Sequence, residues 1–255
     1  MRNETDRDRP VAFVTGASQG LGAEIAVALA RAGHDVVVSS RQVERLSDTL
    51  DAIAKAGGRG APVELDVRSP ASMEQAMRGA LEAFGRVDVL VNNAAVTLRS
   101  AALETTRAQW DELMEVNLKG VYFMSQAMGR QLVERRRPGC IISLASAHGL
   151  VGFAGRSAYG IAKAGIVQMT RMLAVEWAAH GIRVNAVAPG TVDTPSRAAY
   201  FAANPEAKRA MTDRIPFRRF AAAGEVAAAV GYLASAEAAC VTGQTLVLDG
   251  GLTAY

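Results

Sequence analysis

The apolar run Val11-Ala12-Phe13-Val14 passes through Thr15 into Gly16-Ala17-Ser18-Gln19-Gly20-Leu21-Gly22, and from residue 20 to residue 31 apolar side chains recur at helical spacing. A strand with no hydrophobic alternation is covered on both faces, as in a parallel sheet. A glycine-rich turn between such a strand and a helix lets backbone approach a ligand closely, and the helix N-terminus offers unpaired N–H groups to an anion such as a pyrophosphate. The spacing Gly-x-x-x-Gly-x-Gly also suits a plain tight turn, so the rest of the chain has to decide.

Further strands are expected at 35–39, 62–65, 87–92, 140–144, 183–188 and 245–248, with helices at 43–55, 72–84, 107–134, 157–179 and 224–234. This β-α alternation predicts an α/β fold, a single-domain doubly wound parallel sheet of Rossmann-like type with right-handed crossovers. With 255 residues, half of them apolar, the chain suits one domain over 11–255. Residues 1–10 are polar and charged and read as a loose tail without the apolar run of a signal peptide. No stretch approaches the roughly 18 apolar residues of a membrane span, so a cytoplasmic protein is expected. The net charge is only +3, the cluster Arg135-Arg136-Arg137 has no interleaved aromatics, and the histidines at 34, 148 and 180 have no metal-ligand spacing. Neither nucleic acid, membrane nor metal is expected as a partner, and Cys140 and Cys240 read as reduced, buried thiols.

Tyr159 and Lys163, four apart, share a face if they lie on a helix. An ammonium beside a phenol favours the phenolate. A free tyrosine titrates near ~10, so work near neutrality needs a fall of roughly three units, about 4 kcal/mol. One ammonium in a partly dry cleft, helped by a cationic nicotinamide, supplies that, whereas an exposed pair does not. Taken alone, Tyr-x-x-x-Lys is more simply a surface pair.

Beside the glycine turn stand Asp66-Val67, Asn92-Asn93-Ala94, Asn117, Ser146, Tyr159 with Lys163, Pro189-Gly190 and Asp249-Gly250-Gly251. In these motifs and their order the chain resembles the classical short-chain dehydrogenases/reductases, from Val11 to Gly251. The resemblance implies hydride transfer between a nicotinamide dinucleotide and a secondary alcohol or carbonyl, without a metal. Carried over residue by residue, it makes Tyr159 the general acid/base and Lys163 the group that lowers its pKa and holds the nicotinamide ribose. Ser146 becomes the hydrogen-bond partner of the substrate oxygen, and Asn117 the residue that positions a relay water. Ser146 also fits a plain strand-end cap, and Asn117 a buried amide in a helix kink.

The same resemblance implies cofactor contacts at Gly16, Ser18, Gln19, Gly20, Leu21 and Gly22, at Asp66 and Val67 for adenine, and at Asn93, Ala94 and Ala95 under the adenosine ribose. Pro189, Gly190, Thr191, Val192 and Thr194 would meet the nicotinamide. At the end of the second strand, where NAD-preferring members place an acid, stand Ser40 and Arg41. Serine does not repel a 2′-phosphate and a guanidinium grips it bidentately, so NADP(H) is favoured over NAD(H). Arg41 also fits a solvated arginine at a helix start.

A lid is expected at about 191–220, and His148, Phe153, Arg156 and Tyr200 are expected to line the substrate pocket with Ser146. The small-molecule substrate is expected to be a general carbonyl or secondary alcohol. The alternatives are a 3-oxoacyl-carrier-protein reductase, a sugar or sugar-acid dehydrogenase, and, in another class, a catalytically silent dinucleotide-binding regulator. The resemblance implies a homotetramer, or a homodimer. Two departures stand out: Ala95 where the family has glycine, and Ala221-Ala222-Ala223 where it has Gly-x-Pro, which puts the exit of the lid in question.

Overall fold

The structure is a computed structural model that describes residues 9–254. Seven parallel strands form one sheet in the order β3-β2-β1-β4-β5-β6-β9. They are β1 (Val11–Val14), β2 (Asp35–Ser40), β3 (Gly60–Glu64), β4 (Val89–Asn92), β5 (Gly139–Leu144), β6 (Ile182–Pro189) and β9 (Thr245–Leu248). A separate parallel pair joins β7 (Val192–Asp193) to β8 (Ala221–Ala222).

The absence of alternation in the strands has the expected cause. Phe13, Val37, Leu90 and Ile141 face one core, packed with Met77 of α3 (Pro70–Phe84), Met124 and Leu132 of α5 (Gly120–Glu134) and Ile166 of α6 (Ser157–Trp177). Their neighbours Ala12, Val14, Val36, Val38 and Val91 face a second core, with Ile25 and Leu29 of α1 (Gly20–Arg31), Ile53 of α2 (Ser47–Lys55) and Val226 and Val230 of α9 (Ala223–Ala234). The order reverses between β1 and β4, which opens a crevice at the carboxyl ends of the strands.

Some expectations change. The helix predicted over 107–134 divides into α4 (Arg107–Met114), a π-turn (Glu115–Lys119) and α5. Asn117 lies in that turn, and such turns recur at functional sites. The predicted helix over 43–55 begins as a 3₁₀ turn (Val43–Leu46). Of the expected tail, residues 1–8 lie outside the described residues, but Arg9 is pinned: it donates to Gly33 O (3.0 Å) and Gly57 O (2.8 Å). It also pairs with the buried Asp35 at 3.6 Å. Cys140 is buried as expected, whereas Cys240 is exposed, because it falls in the turn after the 3₁₀ segment Ala236–Ala238 and before β9.

The glycine turn is set by close approach. Gly16 has φ +65°, where non-glycine residues are disfavoured. A Cβ on Gly22 would lie 2.4 Å from Gly16 O and 2.5 Å from Asn93 Nδ2. Helix propensity alone favours alanine over glycine by about 1 kcal/mol, but overpacking against backbone typically costs ~1–3 kcal/mol. Gly22→Ala is therefore expected to lower the urea midpoint. Gly231→Ala in α9, where a Cβ meets nothing within 4 Å, is expected to raise it.

Candidate active site and dinucleotide cleft

The ends of β1 and β4 are tied into a rigid floor. Thr15 Oγ1 accepts from the backbone N–H groups of Asn93 and Ala94, both at 3.0 Å. Asn93 Nδ2 donates to Thr15 O and Gly16 O, also at 3.0 Å. Above this floor lies a cleft of about 740 Å³ whose walls include Gly16, Ser18, Gln19, Ser40, Arg41, Val67, Asn93, Ala94 and Ala95. A dinucleotide fits it on three counts: polar walls, a glycine turn that no side chain may fill, and Ser39, a wall residue whose buried Oγ has no hydrogen-bond partner. Gly20, Leu21 and Gly22 start α1 behind the cleft and form none of its wall.

Asp66, expected beside the adenine, is engaged by a neighbouring side chain. It is not a wall of this cleft; its carboxylate is held by Arg68, with Nε at 2.9 Å from Oδ1 and Nη2 at 2.5 Å from Oδ2. That hydrogen bonding keeps its carboxyl below the usual aspartate range. The wall residues beside it are Leu65 and Val67, together with Arg68 itself. Gln42, Arg45 and Arg68 are walls that the sequence reading missed. The i,i+4 spacing of Arg41 and Arg45 was the available signal; Arg68 is contributed by a different strand end.

The second half of the site gathers at the ends of β5 and β6. Ser146 caps the 3₁₀ turn Ala147–Gly149, its Oγ accepting from His148 N at 3.2 Å and lying 3.1 Å from His148 Nδ1. Tyr159 and Lys163 project from the first turns of α6, and Lys163 Nζ lies 5.7 Å from the centre of the Tyr159 ring. Lys163 is buried, with Nζ donating to Leu144 O at 2.6 Å, and burial alone pushes its pKa down to about 8. Burial also raises the Tyr159 phenol above its ordinary value, against the opposing pull of a hydrogen bond to Ser146 and of Arg156 and Arg197. The depression of the Tyr159 pKa expected from Lys163 is therefore not present in the protein alone.

Asn117 is buried, with Oδ1 accepting from Val96 N and Nδ2 donating to Val96 O, each at 2.8 Å. This two-way clamp joins the π-turn to the loop after β4. Pro189 ends β6, Gly190 N donates to Leu248 O (2.9 Å), Thr191 O accepts from Ala221 N (3.0 Å), Val192 is buried in β7, and Thr194 precedes α7 (Pro195–Ala203). The segment after Arg219, left in question by the alanines, is fixed by Glu225. It accepts from Ala222 N at 2.8 Å and forms a bidentate pair with Arg219 at 2.7 Å.

Of the expected pocket residues, His148, Phe153, Arg156 and Ser146 come together. The His148 and Phe153 rings are 4.3 Å apart, His148 and Tyr159 5.8 Å, and the Arg156 guanidinium is 5.8 Å from the Tyr159 ring centre. Tyr200 does not join them; its half-exposed ring packs edge-on against Phe201 at 5.2 Å. Phe201 is the buried anchor of α7, clustered with Ile215 and Phe220. Helical phase sends neighbouring residues to different faces, and the apolar ring takes the covered one.

The family model described as enoyl-(acyl carrier protein) reductase matches residues 16–253. The chain is 40% identical over 243 residues to 3beta-hydroxysteroid dehydrogenase 1 of Eggerthella lenta, covering 95% of this chain and 93% of that protein. It is 38% identical over 242 residues to a 3-oxoacyl-[acyl-carrier-protein] reductase of Vibrio cholerae, covering 95% and 96%. A crystal structure of a variant actinorhodin polyketide ketoreductase with NADPH superposes with TM-score 0.92 at 37% identity, covering 98% of this chain and 99% of that chain. The chain belongs to the short-chain dehydrogenase/reductase family. It is a nicotinamide-dependent oxidoreductase that interconverts a carbonyl and an alcohol on a small molecule. Among the described residues no helix is long and apolar enough to cross a membrane.

Burial, and then the fields of Arg156, Arg197 and Arg214, push the His148 pKa down to about 4. The folded state thus keeps His148 neutral where the unfolded chain, titrating near ~6.5, takes up a proton, so its contribution to stability falls as pH drops from about 6.5 to about 4. His148→Gln is expected to flatten the stability–pH profile in that window, by at most ~3 kcal/mol. Urea denaturation at pH 4.5 and pH 7 checks it; equal slopes in both proteins would place the titration elsewhere.

Proposed function

We propose that this enzyme reduces and oxidises carbonyl/secondary-alcohol pairs with NADP(H) in preference to NAD(H), with Tyr159 as general acid/base. The observation that carries the reading is the convergence of Ser146, Tyr159 and Lys163 at the strand ends, beside a cleft walled by Arg41 and Arg45. When bound, the dinucleotide supplies or accepts the hydride. The Tyr159 phenol gives its proton to the substrate oxygen in reduction and takes one back in oxidation. Ser146 Oγ donates a hydrogen bond to the same oxygen as charge develops on it. Lys163, held by Leu144 O, would hold the nicotinamide ribose and, with the dinucleotide bound, favour the phenolate by its field, and Asn117 positions a water that returns the proton from Lys163 to solvent.

The NADP preference is supported by charge. Ser40 carries no acid to repel a 2′-phosphate, and Arg41, Arg45 and Arg68 stand in the adenosine half of the cleft. Asp66 already neutralises Arg68, so Arg41 is the principal grip. Residues 191–220, whose own small core is Phe201, Ile215 and Phe220, act as the lid. The assembly is a homotetramer, or a homodimer, and the enzyme is cytoplasmic. The assembly is supported by an apolar groove of about 360 Å³ lined by Met114, Leu118, Tyr122, Phe123 and Met169, with Met172 and Val175 exposed nearby on α6. The carrier-protein reductase reading draws on the 38% identity to the Vibrio enzyme. It lacks a cation at Val175, which is 81% exposed on the helix that carries Arg171.

Tyr159→Phe is expected to abolish turnover while NADPH still binds; near-normal turnover would refute the role given to the phenol. Because burial raises the phenol pKa, reduction is expected to hold its rate through neutral pH while oxidation accelerates as pH rises. Arg41→Ala is expected to weaken NADPH by about 1.5–3 kcal/mol, roughly 10- to 150-fold, with little change for NADH. Titration of both cofactors measures this, and equal losses would make Arg41 a structural residue.

A further inference from the structure

The glycine turn is held from α2 by Thr49, a buried residue in the first turn of that helix. A threonine in a helix commonly returns its hydroxyl to the carbonyl four residues back, as Thr170 does to Ile166 O at 2.8 Å and Thr212 to Lys208 O at 3.1 Å. Thr49 Oγ1 instead donates to Ala17 O at 2.8 Å, a partner 32 residues away in the turn after β1. The other side of Ala17 is tied to the same unit, since its N–H donates to Ser39 O of β2 at 2.9 Å. Both backbone groups of Ala17 are thus fixed by the β2–α2 segment.

Three successive carbonyls of the turn are occupied. Thr15 O and Gly16 O accept from Asn93 Nδ2, and Ala17 O accepts from Thr49. In a trans peptide the C=O and the N–H point in opposite directions, and no peptide among the described residues is cis. Drawing Ala17 O toward α2 therefore aims Ser18 N–H the other way, and Ser18 is a wall of the dinucleotide cleft. An N–H at that wall attracts a pyrophosphate, whereas a carbonyl there repels it. Ala17 is 0% exposed, so solvent cannot replace the Thr49 hydroxyl, and an orphaned buried carbonyl favours a turn of the peptide.

We infer that Thr49 is a positioning residue for the dinucleotide: its hydroxyl sets the direction of the peptide between Ala17 and Ser18 and so presents Ser18 N–H to the pyrophosphate. That group is common to NADPH and NADH, so Thr49 governs affinity for both, in contrast to Arg41, which acts on the 2′-phosphate. The segment that carries Ser40 and Arg41 to the adenosine half of the cleft also holds the turn at its phosphate half. The inference rests on the cleft being the dinucleotide site and adds to it a residue that is not one of its walls.

The test is calorimetric titration of the full-length enzyme with NADPH and with NADH, beside urea denaturation of each variant. Thr49→Val keeps the shape of the side chain and removes the hydroxyl. It is expected to weaken both cofactors by a similar factor, about 10-fold, the lower end for one charge-assisted hydrogen bond. Thr49→Ser keeps the hydroxyl and loses the methyl, so it is expected to lower the urea midpoint while binding both cofactors as the parent does. Ile53→Val, one turn further along α2 and buried in the core, is expected to lower the midpoint without moving either Kd. Affinity then follows the hydroxyl, and stability follows the packing. Unchanged affinities in Thr49→Val, a loss confined to NADPH, or equal losses in Thr49→Val and Thr49→Ser overturn the inference. A matching loss in Ile53→Val also overturns it, because the effect is then a general loosening of α2. If the parent enzyme binds neither dinucleotide, the reading of the cleft itself fails. If the parent binds both and removal of the hydroxyl changes nothing, that reading stands and the role given to Thr49 fails.

Discussion

No side chain fits at Gly22, and the two atoms that exclude one, Gly16 O and Asn93 Nδ2, come from the turn after β1 and the loop after β4. Three segments therefore meet at van der Waals limits, and the sheet order brings them together: β1 and β4 are neighbours, with the connections between them crossing on opposite faces. The Asn93 amide bridges Thr15 O and Gly16 O, so the glycine turn is held at a fixed height above the sheet. The loop that leaves this floor is clamped again three residues on, where Val96 exchanges both backbone hydrogen bonds with Asn117. The dinucleotide cleft and the π-turn are thus parts of one hydrogen-bonded unit.

The reacting end is built on desolvation. Lys163 is buried against Leu144 O, and Tyr159 is buried enough that its phenol keeps its proton at neutral pH. Burial shifts both groups toward their neutral forms, yet Lys163, at about 8, still carries its charge in most molecules at neutral pH.

The sequence made the scaffold legible wherever one local rule decided the outcome. The bounds of α1 and β9 match the reading because glycines and apolar runs agree there. The break at 115–119 was hidden because the apolar spacing of α4 and α5 continues through it; one extra residue per turn leaves no mark on composition. Tyr159 and Lys163 were visible by spacing and Ser146 through the family resemblance, yet the sign of the tyrosine shift was not, since it depends on burial that the packed fold supplies. Arg68 as a cleft wall and the inward turn of Phe201 in place of Tyr200 belong to the same class of tertiary facts.

The arginines at the mouth show most clearly what a linear reading omits. Arg99, Arg156, Arg197 and Arg214 stand in four separate segments, and of the four only Arg156 is expected at the pocket from the sequence. The fold sets Arg156 and Arg214 against the joined rings of Tyr159, His148 and Phe153, and brings Arg99 and Arg197 near enough to oppose Arg156. Ser146, just after β5, and Tyr159 and Lys163 on α6 are placed by the sheet and the helix packed on it. A scaffold arranged in this way can change its substrate by exchanging mouth residues while Ser146, Tyr159 and Lys163 stay in register, because their positions depend on the sheet and α6 and not on the lid.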